Sequence, residues 1–496
     1  MDRKHPDAIC ESCPLVDAKY VPTYLPRMQQ YYCMFIGQAP GEVETYTKVP
    51  FTGPAGKTHW RILKEVGLDK QCFPHDNVVA CYPGKNPTGT GDKKPSIKEQ
   101  LCCLPRLKAA IHTCRPKLIV ALGEEAMHAL TRLSGISTQR GRIVDLDESF
   151  EYPCKVLIAF HPSFVMRSRQ WIPTQAQLYN TIHQFFSPEG VPEESEPTLI
   201  LDPTPEELQK YLDTDSPVGC DTETTGLDIL SDSIIGMSFS TTPDTAVAVA
   251  FTGPDDPRWP VIKTFLENPT KKKIWQNGSY DTSLLRYSTN NPFKATDQGF
   301  YFDTRLAQQL LASDLPTDLD YLRGEYTTIK PYKPSKKERK QIATWGKDRM
   351  LRYAALDAVT TLQVHNEQIK KLNTQEWKLL DELLIPLVYA IGRMEARGVL
   401  VSIENLTSLY MAALPEIERI EAKFSEKGVN PRSPRQLLSF FGVKSTNEDV
   451  LEHYIKRNHP LKDWMEDLLK YRSLYKMTSV YLKGCLLYTS PSPRDS

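Results

Sequence analysis

Asp221-Thr222-Glu223 closes a stretch that reads as a β-strand, and the two-residue period of a strand puts both carboxylates on one face. Carboxylates at that spacing can bridge two divalent cations. Two cations about 4 Å apart can hold a phosphate, generate hydroxide and stabilise a leaving oxygen. Asp281, in Asn277-Gly278-Ser279-Tyr280-Asp281, opens a helical stretch from which it can reach the same place. Tyr353 and Asp357 lie four apart in a further helical stretch and so share a face, with Tyr353 suited to orient an attacking water. A second chemistry lies in the cysteines, most of which fall in the N-terminal third. Cys10-x-x-Cys13 can turn two thiolates onto one metal, and a closed site needs two more. Cys81, at the end of an expected strand, and Cys102, in the helix before Pro116, complete four thiolates that suit an iron–sulfur cluster or zinc. Cys33, Cys72, Cys114 and Cys154 read as small buried hydrophobes.

These groups need at least two scaffolds. The chain has 496 residues, which at about 100–200 per domain allows two to four domains. Lys+Arg and Asp+Glu are both 61, so any nucleic-acid surface must be local. No apolar run approaches the roughly 18–20 residues of a membrane helix. The N-terminus lacks the apolar core of a signal peptide. Membrane, fibrous and secreted classes are disfavoured, and a cytoplasmic location is expected. In reducing cytosol clustered cysteines point to a metal or cofactor rather than disulfides.

Apolar runs at 31–37, 77–82, 117–123 and 156–161 alternate with helical patterns, which predicts a parallel α/β sheet within residues 1–190. A stretch rich in Pro, Glu and Ser reads as a linker, placed at 191–197. Residues 198–372 open with three strand-like runs at turn-like spacing, an antiparallel meander, followed by the KKIWQNG strand and two helical stretches. From 373 to 484 the pattern is wholly helical. Residues 485–496 lose all period and read as a disordered or foreign tail.

Residues 8–186 carry Gly37-Gln38-Ala39-Pro40-Gly41, then Pro50-Phe51-Thr52-Gly53-Pro54-Ala55-Gly56-Lys57, Asn77-Val78-Val79-Ala80-Cys81, Leu122-Gly123, Arg140-Gly141 and His161-Pro162-Ser163. In this order they resemble the iron–sulfur uracil-DNA glycosylases, which implies a three-layer fold around a parallel sheet. The resemblance maps the ligands of a 4Fe-4S cluster onto Cys10, Cys13, Cys81 and Cys102, with Cys103 an adjacent candidate. Cys102 is chosen for its distance to Leu107 and Pro116. It gives His161 the donor for the negative charge developing on departing uracil. The flipped base would be read by the Asn77 amide and stacked on Phe51. Gly37 and Gly41 let the backbone approach, Glu44 crowds the base's 5-position, and Arg167 reaches a phosphate. Gln38 stands where the family usually has Glu, and a glutamine cannot act as a general base. Ala39 stands where related glycosylases carry a water-activating Asp. No lysine is placed for a Schiff base, so a monofunctional glycosylase is expected.

Asp221-Thr222-Glu223-Thr224-Thr225-Gly226-Leu227, Asn277–Asp281 and Tyr353–Asp357 together resemble the 3′–5′ proofreading exonucleases, in the variant with Tyr in the third motif. The resemblance implies a ribonuclease H-like α/β domain. Its metal ligands would be Asp221, Glu223, Asp281 and Asp357 for two divalent cations, Mg or Mn, and Leu227 would be an apolar wedge at the terminal base. Asp303 reads as structural. Residues 330–340, rich in lysine, read either as a phosphate-backbone contact or as a solvated loop. The helical remainder resembles the approach to the thumb of A-family DNA polymerases. It lacks palm carboxylate motifs, so no polymerase activity is expected. The whole then resembles a truncated fusion of phage or bacterial type. The expected partners are DNA, both uracil-containing and at its 3′ ends, and replication proteins, with no membrane. Two rival readings fit the same residues. One is an exonuclease with a catalytically inactive iron–sulfur DNA-binding module; the other is a non-catalytic DNA clamp for a polymerase.

Overall fold

The computed structural model describes residues 5–28, 30–86, 91–191 and 194–483. Part of the expected linker and the expected tail at 485–496 lie outside these residues. Two compact units emerge, residues 1–396 and 397–496. Among the described residues no helix is long and apolar enough to cross a membrane.

The first sheet contains β1 (Cys33–Gly37), β2 (His75–Asn77), β3 (Leu118–Leu122), β4 (Ile143–Asp145) and β5 (Lys155–Ala159), in the order β2-β1-β3-β5-β4. Its inner strands are buried on both faces, as a parallel sheet between helices requires. Cys33, Phe35, Leu118, Val120, Leu122, Leu157 and Ala159 pack on one side with Ile62, Leu63 and Tyr179. Met34, Ile36, Ile119, Ala121, Val156 and Ile158 pack on the other with Leu107, Ile111 and Met127. This is the three-layer arrangement expected. Two details differ from the sequence reading. The strand expected at 77–82 is His75–Asn77, and Val78–Cys81 continues as buried irregular chain, with Val78 and Val79 N–H groups donating to the carbonyls of Gly37 and Gln38. The apolar run marks burial there, and its end pairs outside the sheet through an isolated antiparallel bridge between Cys81 and Tyr20. The edge strand β4 is antiparallel and was not anticipated; its three residues are too short and too exposed to leave a pattern.

The second sheet holds β6 (Thr198–Leu201), β7 (Val218–Thr224), β8 (Ile234–Thr242), β9 (Thr245–Ala250), β10 (Lys273–Trp275) and β11 (Phe300–Asp303), ordered β11-β10-β7-β8-β9-β6. The expected meander β7-β8-β9 is antiparallel, and the flanking strands join parallel. The long helix Lys347–Lys371 lies across this sheet. Its approach is close because the strand faces beneath it are small: Ala246, Ala248 and Ala250 pack on Met350, Ala354 and Ala355. A Cβ on Gly219 would come within 2.5 Å of the Ala358 carbonyl, so only glycine lets helix and β7 meet here. The helical region after residue 373 begins within this same unit: Leu380, Ile385 and Val388 share a core with Phe239, Ile274 and Trp275.

Both sheets belong to one compact unit, and their contact is built from arginines. Arg140 is buried, lies 4.3 Å over the Tyr321 ring and donates to the Tyr321 carbonyl. Arg323 donates to the carbonyls of Thr138 and Ile329. The other unit is all helical. Its core joins Ile417, Ile420 and Phe424 of Ile403–Ser425 to Leu437, Phe441, Leu451, Met465, Leu468 and Tyr471.

Candidate active sites

Beyond the carboxyl ends of β1 and β5 opens a cleft of about 1100 Å³. Gln38, Gly41, Glu44, Phe51, Asn77, His161 and Arg167 all line it, with Asp92, Lys93 and Lys94 of the loop after Cys81. Gly37 lies beneath it; a Cβ there would stand 2.6 Å from Asn77 Oδ1 and 2.7 Å from Phe51 Cζ, so its bareness sets how close those two side chains sit. Phe51 is held in the left-handed region at φ 58°, with its carbonyl accepting from Trp60 Nε1 at 2.7 Å. Glu44 is buried and accepts from the Gly53 N–H at 2.9 Å, at the head of helix Pro54–Glu65.

His161 caps the helix Pro162–Arg167, and its Nδ1 accepts from the Ser163 N–H at 3.2 Å. Burial lowers its pKa to about 4, with Arg167 and Lys94 adding to the effect and Glu125 opposing it. The imidazole is therefore neutral near pH 7. With Nδ1 occupied as an acceptor, the proton sits on Nε2, which becomes a hydrogen-bond donor.

Two supports for this cleft escaped the sequence reading. Asp76 and Arg106 form a fully buried ion pair at 2.7 Å, Thr23 donates to Asp76, and Arg106 Nη2 donates to the Asn77 carbonyl at 2.6 Å. This pair pins the backbone that carries Asn77. Behind Phe51 runs a buried chain: Tyr179 donates to His59 Nδ1, His59 Nε2 donates to His75 Nε2, and His75 Nδ1 donates to the Phe73 carbonyl. The direction follows from the last carbonyl, which can only accept. Burial lowers the pKa of His75 to about 3 and that of His59 well below its ordinary value. No periodicity marks either device; only pairing across distant segments reveals them.

The cysteines gather at a small apolar cavity lined by Cys10, Cys13, Cys81, Cys102 and Cys103. Both members of the Cys102-Cys103 pair reach it, the expected Cys102 and the adjacent candidate Cys103. Cys103 Sγ accepts from the Ala80 N–H, and Cys102 Sγ lies 3.9 Å from Ser12 Oγ. Burial raises the Cys13 thiol, and the neighbouring Cys102 and Cys103 add to the rise; a positive metal centre would reverse this. Among the described residues no three of these sulfurs lie within 4.8 Å of one another. Cysteine sulfurs gathered at one apolar cavity are a donor set that suits a metal centre.

Beside β7, Asp221, Glu223 and Asp357 bring carboxylate oxygens within 4.8 Å of one another. Burial raises Asp221 and Glu223 well above the carboxylate range, and repulsion from Asp357 adds to it. Glu223 Oε1 is buried with no hydrogen-bond partner among the described residues. Asp281 is not in this set. Thr222, which leaves β7 on the opposite side, donates to Asp281 Oδ1, and burial raises that carboxyl to about 7. Asp303 caps the helix Thr304–Leu311 and accepts from the Asn277 and Gly278 N–H groups, fixing the turn that carries Asp281. Leu227 is 81% exposed on the loop after β7.

Within the 330–340 stretch Lys337, Glu338 and Lys340 are exposed, as a solvated loop would be, and Lys333 departs from both readings. Its side chain is about nine-tenths buried, donating to Asp357 Oδ2 at 2.6 Å and to Tyr353 Oη at 3.2 Å. Tyr332 donates to Asp357 Oδ1 at 2.5 Å.

Comparisons with known proteins agree with this geometry in two parts. The Uracil DNA glycosylase superfamily profile matches residues 27–184, and a 3′–5′ exonuclease profile matches residues 202–373. A Type-4 uracil-DNA glycosylase of Thermotoga maritima is 35% identical over 138 residues, covering 27% of this chain and 67% of the relative. One from Pyrobaculum aerophilum is 30% identical, covering 32% of this chain and 80% of the relative. DNA polymerase I of Pseudomonas aeruginosa is 28% identical over 308 residues, covering 55% of this chain. The chain spans about a third of that polymerase's length (33%). The chain belongs to the uracil-DNA glycosylase superfamily, with a 3′–5′ exonuclease domain of the DNA polymerase I type fused to it.

Proposed function

We propose that the chain excises uracil from DNA by hydrolysing the N-glycosidic bond and removes 3′-terminal nucleotides at a second, metal-dependent site. The observation that carries the first activity is the Ser163 N–H donating to His161 Nδ1 in the cleft. A neutral imidazole with Nδ1 occupied presents Nε2–H to the charge that builds on uracil as the bond breaks. Asn77 would read the base edge, Phe51 would stack on its ring, and Glu44 would crowd its 5-position. Gln38 orients water through its amide but takes no proton. Leaving-group stabilisation therefore carries most of the barrier. Arg167, with Lys93 and Lys94, faces the phosphates.

A 4Fe-4S cluster would be held by Cys10, Cys13, Cys81 and one of Cys102 and Cys103. It would staple the N-terminal segment to the helix Ile97–Cys114. In the second site Asp221, Glu223 and Asp357 would hold two divalent cations, Mg or Mn, with Asp281 adding negative potential beside them. The cations supply charge stabilisation and an activated water. Tyr353 orients that water, and Leu227 wedges against the terminal base. Residues 1–190 and 198–372 would be the two catalytic domains, 191–197 their linker, and 373–484 the start of a polymerase-type region. Uracil-containing DNA and 3′ ends are the substrates, and replication proteins the further partners, in the cytoplasm.

The test separates the two sites. The Glu223→Ala protein is incubated with a uracil-containing oligonucleotide, and alkali-labile abasic sites are expected. Their absence would show that Gln38 marks an inactive DNA-binding module. Purified protein is expected to be brown, with iron and sulfide; a colourless zinc protein would overturn the cluster assignment.

A further inference from the structure

Both oxygens of Asp357 are already engaged. Tyr332 Oη donates to Oδ1 at 2.5 Å and Lys333 Nζ donates to Oδ2 at 2.6 Å. The same ammonium reaches Tyr353 Oη at 3.2 Å. It is a buried cation placed beside three clustered carboxylates, one of which, Glu223, has an oxygen with no donor among the described residues. Carboxylates this close repel unless a positive charge lies among them. Lys333 supplies one such charge.

The backbone around it is fixed. Pro331 and Pro334 bracket Tyr332-Lys333 and restrict the chain. Arg323 donates to the Ile329 carbonyl at 2.7 Å, Ile329 is buried, and the Tyr332 hydroxyl also lies 3.2 Å from Thr360 Oγ1. The part free to move is the four-carbon stem of the lysine, which carries a point charge rather than a rigid fork.

We propose that Lys333 is a displaceable resident counter-cation of the exonuclease site: its ammonium holds Asp357 and Tyr353 in place and must release Asp357 when the second divalent cation binds. This rests on the reading of residues 198–372 as a two-cation exonuclease. One cation can settle against Asp221 and Glu223 without disturbing Lys333. The other must compete with the ammonium for Asp357, so its apparent affinity is lowered by the fraction of time Lys333 is in place. Lys333 is a positioning residue here. It keeps Asp357 and Tyr353 ordered in the absence of metal and sets the cation concentration at which the site completes.

The experiment is a Mn²⁺ titration of the full chain by calorimetry, with free Mn²⁺ counted by electron paramagnetic resonance. It compares the parent protein with Lys333→Met and Lys333→Arg at one pH. In Lys333→Met the weaker binding phase should tighten by ~10-fold or more, a modest share of what a unit charge contributes at contact distance in a part-screened site. In Lys333→Arg it should weaken, because a guanidinium grips a carboxylate with two donors. Unchanged or weaker Mn²⁺ binding in Lys333→Met overturns the inference. If that variant does not fold, equal or tighter binding in Lys333→Arg overturns it. A parent protein that takes up no Mn²⁺ sinks the exonuclease reading itself, which is a different outcome.

Discussion

In the cleft beyond β5, burial lowers His161 to about 4, so the imidazole is neutral and could donate from Nε2. Beside β7, burial raises Asp221 and Glu223, and the crowded carboxylates are steadied by the ammonium of Lys333. Both sites sit in one compact unit and both withdraw ionisable groups from water. In the first, the form that burial favours is the form the proposed chemistry would use. In the second, burial opposes the ionised form that the proposed cations would need, and positive charge would offset that opposition. The difference is one of net charge: a lone imidazole can shed its proton and settle, whereas three carboxylates held by strand and helix cannot all do so without losing their use as ligands.

Substitutions should separate the two sites. Glu223→Ala should lower release of labelled 3′ nucleotides in Mn²⁺ by ~10³-fold, the upper scale for removing a charge aimed at the transition state. Uracil excision should be unchanged; a joint loss would mean the sites are not independent. His161→Ala should lower abasic-site formation by roughly 10²–10³-fold with 3′ degradation intact. Activity that survives this change would move the leaving-group role elsewhere in the cleft.

Arg106→Met should destabilise the glycosylase part by about 3 kcal/mol, since it strands Asp76 as an unpaired buried charge. Thermal unfolding measures that, and a shift confined to excision with no change in melting would contradict the structural role. The smallest effect expected is in pH. His161, His59 and His75 have folded pKa values below the unfolded value of about 6.5. Their neutral forms favour the folded state fully above about 6.5, and that support is lost as pH falls toward 4 and then 3. Excision should therefore vary by less than about twofold between pH 8 and pH 6.5 from this source. A rate that falls as pH rises through 6.5 would mean a cationic imidazole is required.

The sequence was informative wherever a repeat of two or of three to four residues ties side chains to one face. Asp221 and Glu223 share a face of β7, and Tyr353 and Asp357 share a face of the helix Lys347–Lys371. Unbroken apolar runs likewise predicted the parallel strands β1, β3 and β5, which are buried on both faces. Patterning failed where the partner comes from an irregular segment. Lys333 lies 24 residues before Asp357 in a proline-bracketed loop with no period. Asp281 accepts a hydrogen bond from Thr222 while its charge is still felt by Asp221 and Glu223, a coupling that the spacing alone does not show. Cys102 and Cys103 could not be told apart by spacing, because both turn toward one cavity.

What the residue order determined by itself is local: which side chains share a strand or helix face, and which turns stay bare of a Cβ. These follow from backbone geometry that each segment carries alone. What only the tertiary structure decided is which charges are stranded and what steadies them. That includes the protonation of His161, the Asp76–Arg106 pair beneath Asn77, the ammonium on Asp357 and the arginine contact joining the two sheets. Electrostatic free energy depends on burial and on distances between segments far apart in the chain, and neither exists before the chain has folded.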